Sequence, residues 1–221
     1  MNRRQLLGGA GSLSLLALSG CTTTTPEQAL ERQPVPRIPG TYTTMYGPMP
    51  GERFPIPAVN LNRVPEKFWR RQVDYSGPHA VGTLIVDTQT FYLHLVQEGG
   101  KAMRYGVGLG RAGFSWSGRG VIQWKQAWPK WTPPEEMIAR EPDLEKWSAR
   151  NGGMPPGLDN PLGARALYIF QDGEDTLYRI HGSPEYWTIG RAVSSGCVRL
   201  MNQDIIDLYS RVPSGSSLVV V

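Results

Sequence analysis

The sequence predicts a mainly antiparallel β domain with one or two short helices. Three observations point there. Glycine (26 residues) and proline (19) are frequent, which favours turns and strand ends over a helical bundle. Short runs rich in β-branched and aromatic residues recur between turn signals. One stretch near the C-terminus has a helical apolar period. The 221 residues accommodate one ordinary domain plus extras, and seven Trp, nine Tyr and five Phe supply apolar mass for a core.

The first segment is set apart by composition. Asn2-Arg3-Arg4-Gln5-Leu6-Leu7 is positively charged, and Leu6 to Leu18 is apolar but too short to span a bilayer comfortably. Residues 1–21 therefore read as an export signal. Leu18-Ser19-Gly20-Cys21 looks like a lipoprotein processing box, in which Cys21 is diacylated and becomes the new N-terminus. An uncleaved anchor is the alternative. Arg3-Arg4 also loosely resembles a twin-arginine export signal.

Residues 22–79 are punctuated by prolines from Pro26 to Pro65. Proline at this density opposes both helix and central strand. The expectation is an extended tether from the lipid to the domain. Val64 to Val73 carries a short helix signal, with Pro65 in a first turn and Phe68-Trp69 docking on the domain. His79 is expected on the surface.

Residues 80–221 form the expected domain. Val81–Asp87 and Thr90–Gln97 are strand-like and joined by a hairpin at Asp87-Thr88-Gln89. In the second run Phe91, Leu93 and Leu95 alternate with Tyr92, His94 and Val96, so the two sets face opposite sides. Ala102–Gly110 continues as a third strand. Gly106-Val107-Gly108-Leu109-Gly110-Arg111 is not a dinucleotide fingerprint, because the spacing is wrong and the context is a β-meander. Residues 114–134 hold Trp116, Trp124, Trp128 and Trp131, read as a packed aromatic cluster or as ligand contacts. Glu135 to about Ala149 is helical in composition, broken at Pro142, and Asn151–Leu162 is a Gly/Pro loop. This excursion is expected to cap the site or to wall a groove. Arg165–Phe170 and Thr176–His181 are strands joined by a turn at residues 171–175. Asn202 is expected to cap a short helix whose Ile205, Leu208, Tyr209 and Val212 share one face. Pro213 stops it, and Ser217–Val221 closes the chain as a strand.

The formal charge is +4. Without the first twenty residues, 21 basic side chains stand against 19 acidic ones. No basic cluster remains, which argues against nucleic acid as a partner.

The chemistry concentrates near the end of the chain. His181-Gly182-Ser183 precedes Ser194-Ser195-Gly196-Cys197-Val198-Arg199-Leu200, with the imidazole and the thiol 16 positions apart. A thiol is a good nucleophile only as thiolate, so it needs a proton acceptor. Taken singly, a cysteine is usually a small buried hydrophobe and a histidine a satisfied polar group. Cys197 has no disulfide partner if Cys21 carries lipid, and a lone thiol in an exported protein is worth flagging. In the catalytic reading His181 is general base and then acid for Cys197. The N–H groups of Gly196 and Cys197 hold the oxyanion, each donor worth on the order of 10²–10³ in rate. Arg199 clamps a carboxylate or, alternatively, forms a structural ion pair. One His and one Cys are too few for zinc, and the chemistry calls for no metal or organic cofactor.

This block resembles the signature of L,D-transpeptidase (YkuD-type) catalytic domains, which use cysteine to remodel bacterial peptidoglycan. The likeness runs from about Val81 to Val221. It includes Trp128-Pro129-Lys130-Trp131-Thr132-Pro133-Pro134 and Gly157-Leu158-Asp159-Asn160-Pro161-Leu162-Gly163-Ala164-Arg165-Ala166-Leu167. The resemblance implies a β-sandwich-like fold, with the Gly182 carbonyl orienting His181, and with Arg199 and Ser195 handling substrate. Many members have His where this chain has Ser195, so no second imidazole is offered. The implied substrates are peptidoglycan stem peptides. The acyl donor is a tetrapeptide stem cut after its third residue, and the acceptor is an amine on another stem, giving a 3→3 cross-link. Water as acceptor makes an L,D-carboxypeptidase, and an envelope protein's amine makes a protein–wall linkage. Two further readings stand beside these. An unrelated cysteine peptidase of papain type is disfavoured, since there Cys precedes His. A non-catalytic wall-binding lipoprotein is the other.

Overall fold

The computed structural model describes residues 38–110, 117–194 and 196–221, so the expectations on the export signal, Cys21, residues 22–37 of the tether, Trp116 and Ser195 lie outside the described residues. Eleven strands are found among those residues: β1 Arg71–Asp74, β2 Leu84–Asp87, β3 Tyr92–Gln97, β4 Lys101–Gly106, β5 Leu109–Gly110, β6 Gly118–Ala127, β7 Arg165–Gln171, β8 Glu174–Ser183, β9 Ala192–Ser194, β10 Val198–Met201 and β11 Ser216–Val220. Three α-helices accompany them: α1 Gly40–Met45, α2 Glu135–Arg140 and α3 Asn202–Arg211. Nine strands form one sheet in the order β1-β4-β3-β2-β11-β6-β7-β8-β10, and β5 pairs with β9 apart from it. The pairs β2–β11 and β8–β10 are parallel, and the other pairs of the large sheet are antiparallel.

The core explains the curl. Leu84, Leu93 and Tyr105 from one half of the sheet share a single buried cluster with Ile122, Leu167, Ile180 and Leu200 from the other half. The two halves thus face each other across one core, as in a sandwich, while remaining one sheet. Helix α3 seals the open side with Ile205 and Leu208. Gly108 exchanges both backbone hydrogen bonds with Arg199 (2.9 and 2.8 Å), tying the chain after β4 to edge strand β10. That tie ends the third strand at Gly106, earlier than the expected Gly110, because Gly108 leaves the ladder for β10.

Several expectations are met in place. The β2–β3 hairpin turns at residues 88–91, and β7–β8 turns at Asp172-Gly173. Pro142 ends the helical run after Arg140 and starts a 3-10 segment, Pro142–Trp147. Two expectations are corrected. Asn202 does not cap α3: Met201 holds the cap position, and Asn202 Oδ1 instead accepts from the Ala164 amide at 2.9 Å.

The second correction concerns the tether. From Ile38 onward the chain is packed on the domain, not extended away from it. Tyr46, Leu61, Val64, Phe68 and Trp69 form a buried cluster with Ile189 and Met201. Proline blocks regular ladders, but it does not stop aromatic and aliphatic side chains from burying area. The helix signal after Pro65 yields only a 3-10 turn, Glu66–Phe68, before the chain enters the sheet as β1. Phe68 and Trp69 do dock, both 5% exposed. Glu52 adds an ion pair to Arg165 (2.7 Å) and accepts from Trp128 Nε1 (2.9 Å).

Candidate functional site

Strands β8 and β10 lie side by side and parallel, with Arg199 opposite His181 and Val198 opposite Ile180. Side chains alternate along a strand. Ile180, Val198 and Leu200 therefore point into the core, where they are fully buried, and His181 and Arg199 share the opposite face. Cys197 comes just before β10. Continuing the register by one residue sets it beside Arg179, whose backbone hydrogen bond acts on the thiol. The Arg199 charge acts on both the His181 ring and the Cys197 sulfur. The structure thus brings His181 and Gly182 on β8 together with Arg199 on β10 and with Gly196 and Cys197 just before it.

His181 is 4% exposed, and its Nδ1 lies 2.6 Å from the Gly182 carbonyl oxygen. A carbonyl only accepts, so Nδ1 carries the proton and Nε2 keeps a lone pair. Burial is the main cause that pushes the His181 pKa down, to about 4. The Gly182 carbonyl opposes that shift, while the Arg199 and Arg179 charges add to it. The ring is neutral at pH 7. Cys197 is partly exposed and unbridged, yet enough protein surrounds its sulfur that desolvation raises the thiol pKa. The Arg179 backbone and the Arg179 and Arg199 charges only moderate that rise.

Local sequence explains the placement. Gly182 and Gly163 are backbones in near contact: a Cβ on Gly163 would sit 2.6 Å from the Gly182 carbonyl carbon and 2.8 Å from the Ser183 nitrogen. Asn202 Oδ1 fills the junction and binds Ala164 N–H. The strand end bearing His181, the end of the excursion and the first residue of α3 are locked together there. Asn160 fixes the excursion itself. It is fully buried, donates to the Pro129 and Pro155 carbonyls (3.1 and 3.0 Å) and accepts from the Leu162 amide at 2.9 Å. The Pro161 backbone then reaches His181, where it opposes the lowering of the pKa. Asn160, Gly163 and Asn202 were legible in the sequence only as members of matching blocks, or as a cap.

Gly196 sits at φ 135°, and an added Cβ would meet the Tyr178 ring at 2.8 Å. Gly196→Ala is expected to cost about 1–3 kcal/mol through strain and contact. Melting midpoints compared with turnover check this: an unchanged midpoint contradicts it.

Arg199 is 8% exposed. Its Nη1 contacts Glu185 Oε2 at 3.1 Å, whereas Nε and Nη2 are buried without a hydrogen-bond partner. Buried guanidinium N–H groups without partners are costly, and an incoming anionic group would satisfy them. Beyond the strand end lies a cavity of about 290 Å³, lined by Ile56, Val59, Leu158, Ser183, Asn202 and Gln203. Ile56 and Val59 of the N-terminal segment therefore form part of that cavity wall.

A buried imidazole on β8 and a thiol just before β10 thus lie at one end of two paired parallel strands of a curled β-sheet, with the Pro161 backbone reaching the imidazole. The family model for the L,D-transpeptidase catalytic domain (YkuD) matches residues 82–221, and the chain belongs to that family. Among curated relatives, "Probable L,D-transpeptidase YbiS" of Escherichia coli is 38% identical over 114 residues, covering 50% of this chain and 34% of that protein. "Probable L,D-transpeptidase ErfK/SrfK" of the same species is 35% identical over 117 residues, covering 52% and 36%. The aligned part of this chain thus spans about a third of the length of these relatives. A crystal structure from Brucella melitensis, described as a probable carnitine operon oxidoreductase, is 40% identical. It covers 73% of this chain and 99% of its own, with a TM-score of 0.50. That description applies to that protein. Here the glycines 106, 108 and 110 lie in β4, β5 and the link between them, not in a strand–turn–helix.

Proposed function

We propose that the chain is a peptidoglycan L,D-transpeptidase that forms 3→3 cross-links through a thioester on Cys197. The observation that carries the reading is His181. Its Nδ1–H is committed to the Gly182 carbonyl, and its neutral ring leaves Nε2 as an acceptor on the face that it shares with Arg199. Cys197 Sγ attacks the carbonyl of the third stem residue as its proton passes to His181 Nε2. The N–H groups of Gly196 and Cys197 receive the oxyanion. The C–N bond to the terminal D-alanine breaks, and the imidazolium protonates the departing amine. An amine of a second stem then attacks the thioester, releases the thiol and returns the proton through His181. Arg199 offers its unpartnered Nε and Nη2 to a substrate carboxylate. Ser195 contributes to substrate handling in the same reading.

The enzyme is exported and lipid-anchored through Cys21, working on the wall from a bacterial membrane. Transfer to an envelope protein's amine, or to water, uses the same acyl-enzyme. Incubation with purified tetrapeptide muropeptides, followed by mass spectrometry, separates the outcomes: a 3→3 dimer supports the cross-linking reading, and a tripeptide product indicates water. With an envelope protein added, a muropeptide–protein adduct indicates that acceptor. No product of any kind with folded enzyme defeats the catalytic reading.

A further inference from the structure

We propose that Trp124, braced by Tyr168, is a platform for the N-acetylated hexosamine from which the stem peptide hangs. The inference rests on the acyl-transfer reading above. It begins with a break in the β6–β7 register. Ile122 pairs with Ile169, both fully buried, and the next pair is Trp124 with Tyr168 after a shift between them. Regular alternation would send Trp124, two residues after Ile122, into the core. One extra residue in β6 turns it to the outer face, as bulges do near functional sites. There it remains 41% exposed, the only aromatic among the exposed large hydrophobics of the described residues.

The exposed ring is rigidly held. Trp124 stacks on Tyr168 with centroids 3.6 Å apart and planes 13° apart. The Arg179 guanidinium lies 4.3 Å from the Tyr168 centroid and is itself pinned by two contacts to Asp175 (2.6 and 2.7 Å). A fixed indole loses little entropy on binding and offers an apolar face with a polar edge, which suits the C–H face and the amide of an acetylated sugar.

Its position matches the length of the substrate. Trp124, Tyr168 and Arg179 are register partners on β6, β7 and β8, and Cys197 continues that row beside β10. Three steps between neighbouring strands make about 14 Å. A stem whose third carbonyl reacts spans about 11 Å when extended, and the lactyl link to the sugar adds to that reach. A stem lying along this row with its reacting carbonyl at the thiol would bring its first sugar to Trp124.

The test compares disaccharide tetrapeptide with free tetrapeptide as donors for wild type, Trp124→Ala and Trp124→Phe. The expected result is a wild-type kcat/KM higher for the disaccharide donor. Trp124→Ala should remove roughly three- to tenfold of it through KM, with the free peptide unchanged. Trp124→Phe should restore part of the preference. Equal use of both donors by wild type, or a preference untouched in Trp124→Ala, overturns the proposal. Binding of the disaccharide tetrapeptide to Cys197→Ala, with and without Trp124→Ala, reads the platform even without turnover. Equal affinities there also overturn it. Turnover of neither donor by wild type would instead count against the acyl-transfer reading.

Discussion

Replacing Cys197 with alanine is expected to reduce formation of any acyl-transfer product by at least about 10⁴-fold, on the scale seen when a nucleophile is removed. The melting midpoint should stay near that of the wild type, because Cys197 is partly exposed and its side chain is small. A second measurement separates two modes of activation. In a thiolate–imidazolium pair, removing the histidine raises the thiol pKa sharply. Here burial raises the Cys197 pKa above the usual thiol value and lowers that of His181 to about 4, so the resting pair is uncharged. Alkylation of Cys197 by iodoacetamide should then be slow at pH 7 and still be rising above the pH at which free cysteine ionises. His181→Gln should abolish turnover while leaving that alkylation profile nearly unchanged. A fast alkylation at pH 6 that depends on His181 would show the charged pair and contradict the mechanism. Residual turnover in Cys197→Ala within tenfold of wild type would remove Cys197 from the chemistry.

The same residues show what a sequence discloses and what it withholds. The β2–β3 hairpin and α3 were legible because alternation, or a helical period, ran between turn signals, and β7–β8 because β-rich runs flank the turn at Asp172-Gly173 despite a shift in their register. His181 and Cys197 were legible because a base and a nucleophile stood in a matching block. Strand β6 was not, although it lies inside the sheet. Its alternation is broken by Gly118, Gly120 and the bulge before Trp124, so period-2 counting fails. Asn202 looked like a helix cap because the residue type is right for one. Its side chain serves Ala164, which is 38 positions away, and no local pattern shows that. The proline-rich stretch departs from expectation for a related reason. Proline reports on backbone ladders, whereas the fate of residues 38–79 was decided by what their Tyr, Leu, Val, Phe and Trp side chains bury.

That N-terminal segment is held by a buried charge network, and breaking the network is the next large effect expected. Arg70 Nη1 lies 3.1 Å from Asp207 Oδ2 and 3.7 Å from Asp204 Oδ1. Tyr46 OH accepts from the Arg70 amide at 2.6 Å and donates to Asp204 Oδ2 at 3.2 Å. Asp204 is fully buried, and burial raises its pKa to about 7 although Arg70 pulls the other way. Arg70→Ala leaves that carboxylate without its countercharge and should cost about 3–5 kcal/mol at pH 8. The sign of the pH dependence follows from linkage. A group whose pKa is higher in the folded state binds more protons there, so its stabilisation is present at low pH and is lost as pH rises through about 7. The deficit of Arg70→Ala should therefore be smaller at pH 6 than at pH 8, and Asp204→Asn should flatten it. His181 works oppositely, since its lowered pKa adds stability as pH rises from about 4 toward the usual imidazole value. Comparing Arg70→Ala with the double variant at each pH cancels that contribution. Urea unfolding of the four proteins at pH 6 and pH 8 gives the answer, and a deficit under about 1 kcal/mol at pH 8 would show that the network does not hold the segment. Asp204 lies in the first turn of α3, five residues beyond Arg199 and two beyond the Asn202 that locks the His181 strand end. Loosening it should therefore lower turnover as well, in a protein whose Cys197 still reacts with iodoacetamide.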